Sequence, residues 1–305
     1  MGWIESLENE GREKFSRNAP LGDYLLSGIG GEALFLFEAK TIIDLVWAVS
    51  LARGHGAPYK VVGSGANVIF SDGVFKGLVI VNKASSVTVD ERHSRAIVDS
   101  GAEVSKMVLN LAAKGFGGME QFIACRGTVG GAIARNFCDE DDCVSDHLIS
   151  SSVLVSSDKI LNCKPVWFQF RRGESKISHG GLASPVILSA IFQLQKKKPE
   201  VVLDLVVKVR SQFEKFEPEG NVIEVFQNPA GNKEPAEYFL NLAGAKRLSV
   251  GRARVSKKNT NFVEFGRGAS ALDVRQLVEK MREAVSVKYN LDLVEKIEYL
   301  GEWNE

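Results

Sequence analysis

Hydrophobic and polar positions along the chain follow two different periods, one typical of helices and one typical of strands. Thr41 to Gly54 has the pattern of an amphipathic helix that begins at a capping threonine and ends at a glycine. Pro58 to Val62, Val68 to Phe70 and Leu78 to Val81 are short apolar runs between turn residues, and each predicts a strand. A helix followed by short strands indicates a small α/β module in this part of the chain.

Beyond Ser86 the apolar runs are short and mostly strand-like. One helix is predicted at Val104 to Lys114, where Gly115 ends it. The polar segment Lys196 to Glu200 contains a proline, which is typical of a boundary between domains. The strands predicted in this region are Val87–Val89, Ala96–Val98, Leu148–Val155, Lys159–Cys163 and Val186–Leu194.

The last third of the chain mixes helices with a strand. Helical periodicity covers Val201 to Lys215, Ala236 to Ala243 and Ala271 to Tyr289, and a strand is predicted at Asn261 to Phe265. We therefore predict an α+β fold with parts at 1–84, 85–197 and 198–305.

Composition narrows the possible partners. The 305 residues are 45% hydrophobic, and 38 basic residues balance 38 acidic ones. Because nucleic-acid and anionic-membrane binders usually carry a basic excess, we expect neither partner, and we infer no obligate protein partner. No targeting or membrane segment is recognised, and four cysteines are too few for a disulfide scaffold in a chain of this size. A cytoplasmic location is the expectation.

Glycine is mildly enriched, with 29 residues, and five of them lie in two short segments. These are Gly63-Ser64-Gly65-Ala66-Asn67 and Gly127-Thr128-Val129-Gly130-Gly131-Ala132. One such segment alone is most simply a turn, but two suggest that main-chain amides bind the pyrophosphate of a dinucleotide. The spacing matches neither the Rossmann nor the Walker pattern, so a different dinucleotide-binding fold is expected.

Both glycine segments belong to a series of different motifs that follow one another along the chain. The first is Tyr59 to Ile69, followed by Asp72 and Gly77-Leu78-Val79-Ile80. The others are Pro20-Leu21 with Ile29-Gly30-Gly31-Glu32-Ala33, Gly127 to Ala132 with Asn136, Phe226-Gln227-Asn228-Pro229, Ala243-Gly244-Ala245-Lys246, Val255-Ser256-Lys257-Lys258 and Asn261-Phe262. This series resembles the UDP-N-acetylenolpyruvoylglucosamine reductase (MurB) family, and the lack of a long insertion fits its shorter subtype.

The resemblance implies a two-part FAD-binding module of the PCMH/VAO type and a C-terminal substrate domain whose last segment returns to the first part. It also implies that NADPH reduces non-covalently bound FAD, which then reduces the enolpyruvyl ether of a UDP-sugar in peptidoglycan synthesis. Asn228 and Arg171 are expected to bind the substrate. The residues expected to bind FAD are Gly63, Ser64, Gly65, Ala66, Asn67, Gly127, Thr128, Gly130, Gly131, Ala132 and Asn136.

The chain departs from the family in three motifs that carry the family's catalytic residues. The family has a proton-donating serine four residues before its Asn-Pro pair, where this chain has Glu224. The family's glutamate, five residues before a C-terminal glycine, is replaced by Lys296, with Glu295 beside it. The Tyr-Arg-Asp-Ser motif becomes Phe170-Arg171-Arg172-Gly173, so that only Arg171 is retained.

Two interpretations of these departures compete. In the first, Glu224 protonates the carbanion while Lys296 and Arg171 stabilise negative charge. A nearby lysine would keep Glu224 ionised, so this role requires burial of the carboxyl group. In the second, the site is degenerate or serves another substrate, and Glu224 and Lys296 form only an ion pair. Three functions follow: the family reaction, a flavoprotein with a different substrate, and a non-catalytic binding protein.

Cys138, Cys143 and His147 lie in an acidic segment that corresponds to a flavin-proximal segment of the family. Their spacing is looser than that of usual zinc ligands, so we expect no metal and two reduced thiols in an exposed loop. An altered affinity for FAD is the alternative consequence of this segment.

Overall fold

The structure is a computed structural model that describes residues 2–11, 14–139, 142–178 and 185–303. The α-helices of these ranges are α1 Trp3–Gly11, α2 Ile42–Gly54, α3 Val104–Ala113, α4 Val129–Ala134, α5 Val144–His147, α6 Pro165–Phe168, α7 Pro199–Glu214, α8 Ala236–Ala243 and α9 Ala271–Tyr289. The strands are β1 Ser16–Pro20, β2 Glu32–Ala39, β3 Tyr59–Val62, β4 Val68–Phe70, β5 Val74–Asn82, β6 Val87–Asp90, β7 Arg95–Asp99, β8 Phe116–Gly117, β9 Cys138–Asp139, β10 Asp142–Cys143, β11 Leu148–Leu154, β12 Ile160–Cys163, β13 Val186–Gln193, β14 Gln195–Lys196, β15 Val222–Glu224, β16 Ser249–Val250, β17 Ala253–Val255, β18 Phe262–Phe265 and β19 Glu298–Leu300.

The chain divides into two compact units, each built from three separate segments. Unit 1 consists of residues 1–17, 35–64 and 77–213, and unit 2 consists of residues 18–34, 65–76 and 214–305. One division therefore falls between Ser64 and Gly65, inside the first glycine segment. These boundaries differ from the predicted ones, since residues 199–213 of α7 belong to unit 1 and two early segments belong to unit 2.

Unit 1 contains a five-stranded antiparallel sheet in the order β12-β11-β13-β7-β6. Helix α3 packs on the same core through Met107, Val108 and Leu111, and α7 contributes Val202 and Val206. Strand β3 runs parallel to β5, with Val61 opposite Ile80, in a second sheet of order β1-β2-β5-β3. Because β3 ends at Val62, the sheet presents the first glycine segment at a strand end.

Unit 2 contains a four-stranded sheet in the order β15-β18-β17-β16. Its core includes α8 and α9, and α9 buries Val274, Leu277, Met281 and Val285 at helical spacing. Strand β19 pairs in parallel with β4, so the end of the chain joins the segment that follows the first glycine motif.

Most predicted elements agree with the structure, with one difference that affects the site. The helix predicted at Ala236 to Ala243 and the one at Ala271 to Tyr289 have the predicted bounds. The second glycine segment is not entirely a loop, because Val129 begins helix α4. Its glycines therefore lie at a helix start, where small residues allow close packing. No helix in the described ranges is long and apolar enough to cross a membrane.

Candidate active site

The two glycine segments meet within unit 1. The Ser64 hydroxyl donates a hydrogen bond to the Arg126 carbonyl oxygen at 3.1 Å. A Cβ atom on Gly63 would overlap the Thr128 side chain, so a larger residue would not fit at position 63 without movement of that threonine. The close approach of the segments explains why glycine is needed at this strand end.

Helix α4 begins against the turn after β7. The Val129 amide donates to the Ala102 carbonyl at 2.8 Å, and the Gly130 amide donates to the Ser100 carbonyl at 2.7 Å. A Cβ on Gly130 would lie 3.1 Å from Ser100, whereas at Gly131 nothing comes nearer than 3.7 Å. Gly130 is thus a packing residue, and Gly131 has room beside it. The Thr128 hydroxyl forms no capping bond to α4, and the residue is buried.

Asn136 fixes the segment that carries Arg171. It is buried, with a positive φ of 41°, and its amide nitrogen donates to the Arg171 carbonyl at 2.9 Å. Its amide oxygen accepts a bond from the Ser145 amide at 3.1 Å. The Arg171 side chain is 82% exposed and lies 3.6 Å from Glu174. The structure therefore holds the backbone of Arg171 firmly and leaves its guanidinium in solvent.

In unit 2, the first glycine segment continues against β15. Gly65 has a positive φ of 67°, a conformation that favours glycine. The Asn67 side-chain amide donates to the Glu224 carbonyl oxygen at 3.3 Å, and the Asn67 carbonyl accepts from the Glu298 amide at 2.9 Å. Asn67 therefore connects β15 to the start of β19. Ala66, the remaining residue of the segment, is half-buried.

Glu224 and Lys296, the two positions at which the sequence departs from the expected catalytic residues, face each other in unit 2. Lys296 Nζ lies 2.6 Å from Glu224 Oε1, and both side chains are about one-third exposed, at 31% and 35%. The Lys296 amide donates to the Val225 carbonyl at 2.7 Å, which holds the segment before β19 beside β15. The predicted ion pair is therefore present.

Asn261 is a buried side chain that organises this pair, and the sequence indicated it only as part of a motif. Its amide oxygen accepts from the Phe226 amide at 3.0 Å, and its amide nitrogen donates to the Phe226 carbonyl at 2.8 Å. The same nitrogen lies 3.4 Å from Glu224 Oε1. The signals in the sequence were its place at the start of the predicted strand Asn261 to Phe265 and in the motif Asn261-Phe262.

Glu295 belongs to a different environment from its neighbour Lys296. Its carboxylate lies 3.2 Å from Arg282. Burial raises the pKa of the Glu295 carboxyl group, and the Tyr299 hydroxyl and Arg282 oppose that rise. Burial, together with the charge of Glu295, also raises the pKa of the Tyr299 hydroxyl.

Two further residues that the sequence singled out have structural partners. The Asn228 side-chain oxygen accepts from the Ala236 amide at 3.1 Å and so caps α8, while the residue itself is exposed. The Asp72 carboxylate accepts from the amides of Ala271 at 2.8 Å and Leu272 at 3.1 Å at the start of α9.

The acidic cysteine segment differs from its prediction. Cys138 and Cys143 form a disulfide, so the expectation of two reduced thiols is wrong. The cysteines face each other across the β9–β10 pair, which brings their Cα atoms to 4.0 Å. His147 bonds Asp142 at 2.6 Å. Glu140 and Asp141, the centre of the acidic run, lie outside the described residues. Among the residues that the structure describes, no group of three or more potential metal ligands occurs.

The glycine segments of unit 1 bring two stretches of main chain together where the sequence predicts FAD. They are joined by the Ser64–Arg126 bond, and a Cβ on Gly131 would make only an ordinary contact with the Thr128 hydroxyl at 3.7 Å. The Val129 and Gly130 amides are already bonded to Ala102 and Ser100, so they are not free to bind a diphosphate.

Comparisons with known proteins define the class. Residues 33–164 match the FAD binding domain family, and residues 216–300 match the family described as UDP-N-acetylenolpyruvoylglucosamine reductase, C-terminal domain. The crystal structure of UDP-N-acetylenolpyruvylglucosamine reductase (MurB) from Thermus caldophilus matches with a TM-score of 0.78 at 24% identity, over 94% of this chain and 99% of that chain. The fold is thus that of an FAD-binding protein with a C-terminal domain, as predicted.

Two relatives establish the family. The UDP-N-acetylenolpyruvoylglucosamine reductase of Moorella thermoacetica is 30% identical over 288 residues, which cover 93% of each chain. The reductase of Carboxydothermus hydrogenoformans is 29% identical over 299 residues, again covering 93% of each chain. The chain belongs to the UDP-N-acetylenolpyruvoylglucosamine reductase family, and the resemblance seen in the sequence is confirmed.

Proposed function

We propose that the protein is an NADPH-dependent flavoenzyme that reduces UDP-N-acetylglucosamine enolpyruvate to UDP-N-acetylmuramate, a cytoplasmic step of peptidoglycan synthesis. The observation that carries this proposal is the likeness to reductases over 93% of both chains, which includes the FAD-binding part and the C-terminal domain.

The chain's own residues have distinct roles in this proposal. The glycine segments and Asn136 hold or shape the site of FAD, which supplies hydride to the substrate when bound. Arg171 and Asn228 would bind the anionic UDP-sugar, since the first carries an exposed guanidinium and the second an exposed amide. Glu224 and Lys296 form the chemical centre, where negative charge develops on the substrate.

Anaerobic reduction and reoxidation of the flavin tests the proposal. NADPH should bleach the visible flavin absorbance of the purified protein, and the enolpyruvyl UDP-sugar should restore it with formation of UDP-N-acetylmuramate. The matched measurement with NADH determines the donor preference. Bleaching without recolouring would contradict the proposed reaction.

One alternative has a specific observation in its favour. The serine and the glutamate of the family are both replaced, by Glu224 and Lys296, so the site could serve a different substrate of a flavin reductase. This alternative predicts that other enolpyruvyl or enol-ether acceptors, and not the UDP-sugar, recolour the reduced flavin. A protein that remains colourless with added FAD would instead indicate a non-catalytic role.

A further inference from the structure

The Glu224–Lys296 pair raises the question of which group carries a transferable proton. The two side chains are separated by 2.6 Å, and a carboxyl group is a much stronger acid than an ammonium group. In such a pair the proton resides on the amine, and the opposite charges stabilise that arrangement. The carboxylate therefore has no proton to give, whereas the ammonium has three N–H bonds.

The surroundings of the pair reinforce this charge distribution. The Asn261 amide nitrogen, a donor, lies 3.4 Å from the Glu224 oxygen that faces the lysine. A donor directed at a carboxylate favours its ionised form. Asn261 is itself fixed by both polar groups of the Phe226 backbone, so the carboxylate is held in place.

The other carboxyl group of this segment faces elsewhere. Glu295 pairs with Arg282 at 3.2 Å, although it immediately precedes Lys296. Burial raises the pKa of Glu295, but its contacts direct the carboxyl group away from Glu224. Glu295 is therefore not the replacement for the family's acid.

We propose that Lys296 is the general acid of the reaction and that Glu224 is its positioning residue. This inference rests on the proposed function and reverses the roles expected from the sequence. Lys296 would occupy the place of a carboxylate in the family, and Glu224 the place of the serine. The pair thus supplies an acid through a different residue from the one that the family uses.

The step balances in atoms and electrons. Hydride, derived from NADPH, adds to the terminal carbon of the enolpyruvyl double bond, and the electron pair of that bond moves to the carbon that carries the carboxylate. Lys296 Nζ–H then protonates this carbanion, which leaves a neutral amine and a lactyl ether. Because 31% of the side chain is exposed, solvent can return the proton to the amine. A carbanion is basic enough to accept a proton from an ammonium group.

The variant Lys296→Arg tests whether Lys296 acts as a proton donor or only as a positive charge. Lys296→Arg keeps the positive charge and an ion pair with Glu224, but a guanidinium does not release its proton. We expect reoxidation of the NADPH-reduced flavin by the enolpyruvyl UDP-sugar to slow by about 10²–10⁴-fold, the usual contribution of a general acid. Glu224→Gln should slow the same step by about tenfold or less, because the amine retains its own proton.

Two controls show that each variant is folded and loaded. Both variants should retain bound FAD, measured by the visible flavin absorbance of the purified protein. Lys280→Arg, at an exposed position of α9, should change neither half of the reaction.

A second measurement does not depend on turnover. Limited acetylation followed by mass spectrometry should label Lys296 more slowly than Lys280 in the wild-type protein, because an ion-paired ammonium is a poor nucleophile. Glu224→Gln should accelerate labelling of Lys296 and leave Lys280 unchanged.

The possible results separate the two proposals. A wild-type rate for Lys296→Arg, a loss beyond about 10²-fold in Glu224→Gln, or equal labelling of Lys296 and Lys280 would overturn the role of Lys296 alone. A wild-type enzyme that NADPH bleaches and the UDP-sugar fails to recolour would overturn the proposed function and this role together.

Discussion

Asn261 shows how much of the site depends on one buried amide. It bonds both polar groups of the Phe226 backbone and approaches the Glu224 carboxylate, while only 4% of the residue is exposed. Substituting it leaves buried polar groups without partners, and each such group costs about 1–3 kcal/mol.

Asn261→Ala should therefore lower the free energy of unfolding by about 2–5 kcal/mol, since the Phe226 amide and carbonyl both lose a partner. Chemical denaturation measures this change. Asn232→Ala, at an exposed loop position, is the control and should alter stability by less than about 0.5 kcal/mol. Equal effects of the two substitutions would contradict the role given to Asn261.

Glu295 should make stability depend on pH. Burial raises its pKa in the folded protein, so its contribution to stability is fully present below the unfolded pKa of about 4.3 and is lost as pH rises through the folded value. The difference in unfolding free energy between wild type and Glu295→Gln should accordingly shift in favour of the variant as pH rises. Denaturation at a series of pH values, with exposed Glu283→Gln as a control, tests the sign. A difference that changes in the opposite direction would show that Arg282 affects the pKa of Glu295 more strongly than burial does.

At the residue scale, the sequence predicted which residues form the candidate site better than it predicted their hydrogen-bond partners. The motif spacing singled out Glu224 and Lys296, and the two side chains form an ion pair. The bonds of Asn261 and Asn67 were not predictable, because they depend on backbone groups distant along the chain.

At the element scale, helix α9 has an unusually complete N-terminus. The Ser270 hydroxyl accepts from the Asp273 amide, and the Asp273 carboxylate accepts from the Ser270 amide. Asp72, which is distant along the chain, accepts from the next two amides, those of Ala271 and Leu272. Carboxylates near a helix N-terminus satisfy amides and interact favourably with the helix dipole.

Asp72→Ala should lower the free energy of unfolding by about 1–2 kcal/mol, because two amides of α9 lose their acceptor. Asp72→Asn retains one acceptor oxygen and should lose less. Thermal or chemical denaturation of both variants measures the difference. If the alanine and asparagine variants were as stable as wild type, the cap would contribute nothing.

The presence of the β9–β10 disulfide can be tested by counting reactive thiols. Under denaturing, non-reducing conditions two thiols should react with a thiol reagent, those of Cys125 and Cys163, and four should react after reduction. Loop-closure entropy for so short a loop is about 2 kcal/mol, so Cys138→Ser should destabilise the protein by at most that amount. Four reactive thiols before reduction would contradict the bond.

Element types were predicted well where periodicity is strong and less well where packing decides. Helix α9 carries a cap and apolar spacing that the sequence displays directly, α2 carries the Thr41 cap, and α8 ends just before Gly244. Helix α4 was interpreted as a loop, because the three glycines of its segment disfavour a helix, and its contacts with the β7–α3 turn and the core of unit 1 stabilise it. The Cys138–Cys143 bond was missed because pairing requires the hairpin geometry.

At the scale of the whole molecule, the sequence did not reveal how the chain alternates between units. Helix α7 is amphipathic, but periodicity does not tell which core an amphipathic helix joins, and Val202 and Val206 join that of unit 1. Similarly, the assignment of residues 18–34 and 65–76 to unit 2 depends on long-range contacts that no local pattern encodes.

Cofactor binding should stabilise the folded chain as a whole. If FAD binds as proposed, free FAD at about 100 times its Kd raises the free energy of unfolding by about 2.7 kcal/mol. The melting temperature should therefore fall when FAD is removed and recover when it is added back, whereas adenosine monophosphate at the same concentration should produce a smaller shift. A melting temperature independent of FAD would contradict the binding site.

The Glu224–Lys296 pair also restricts the order in which the chain could have diverged from its family. If the serine and the glutamate that the resemblance implies stood at these positions first, a change of serine to glutamate would have placed two carboxylates where the ion pair now has a 2.6 Å separation. A change of glutamate to lysine first would give a serine beside an ammonium, without like-charge repulsion. The lysine is therefore expected to be the older substitution, and descendants of that intermediate would have lysine at position 296 and serine at position 224.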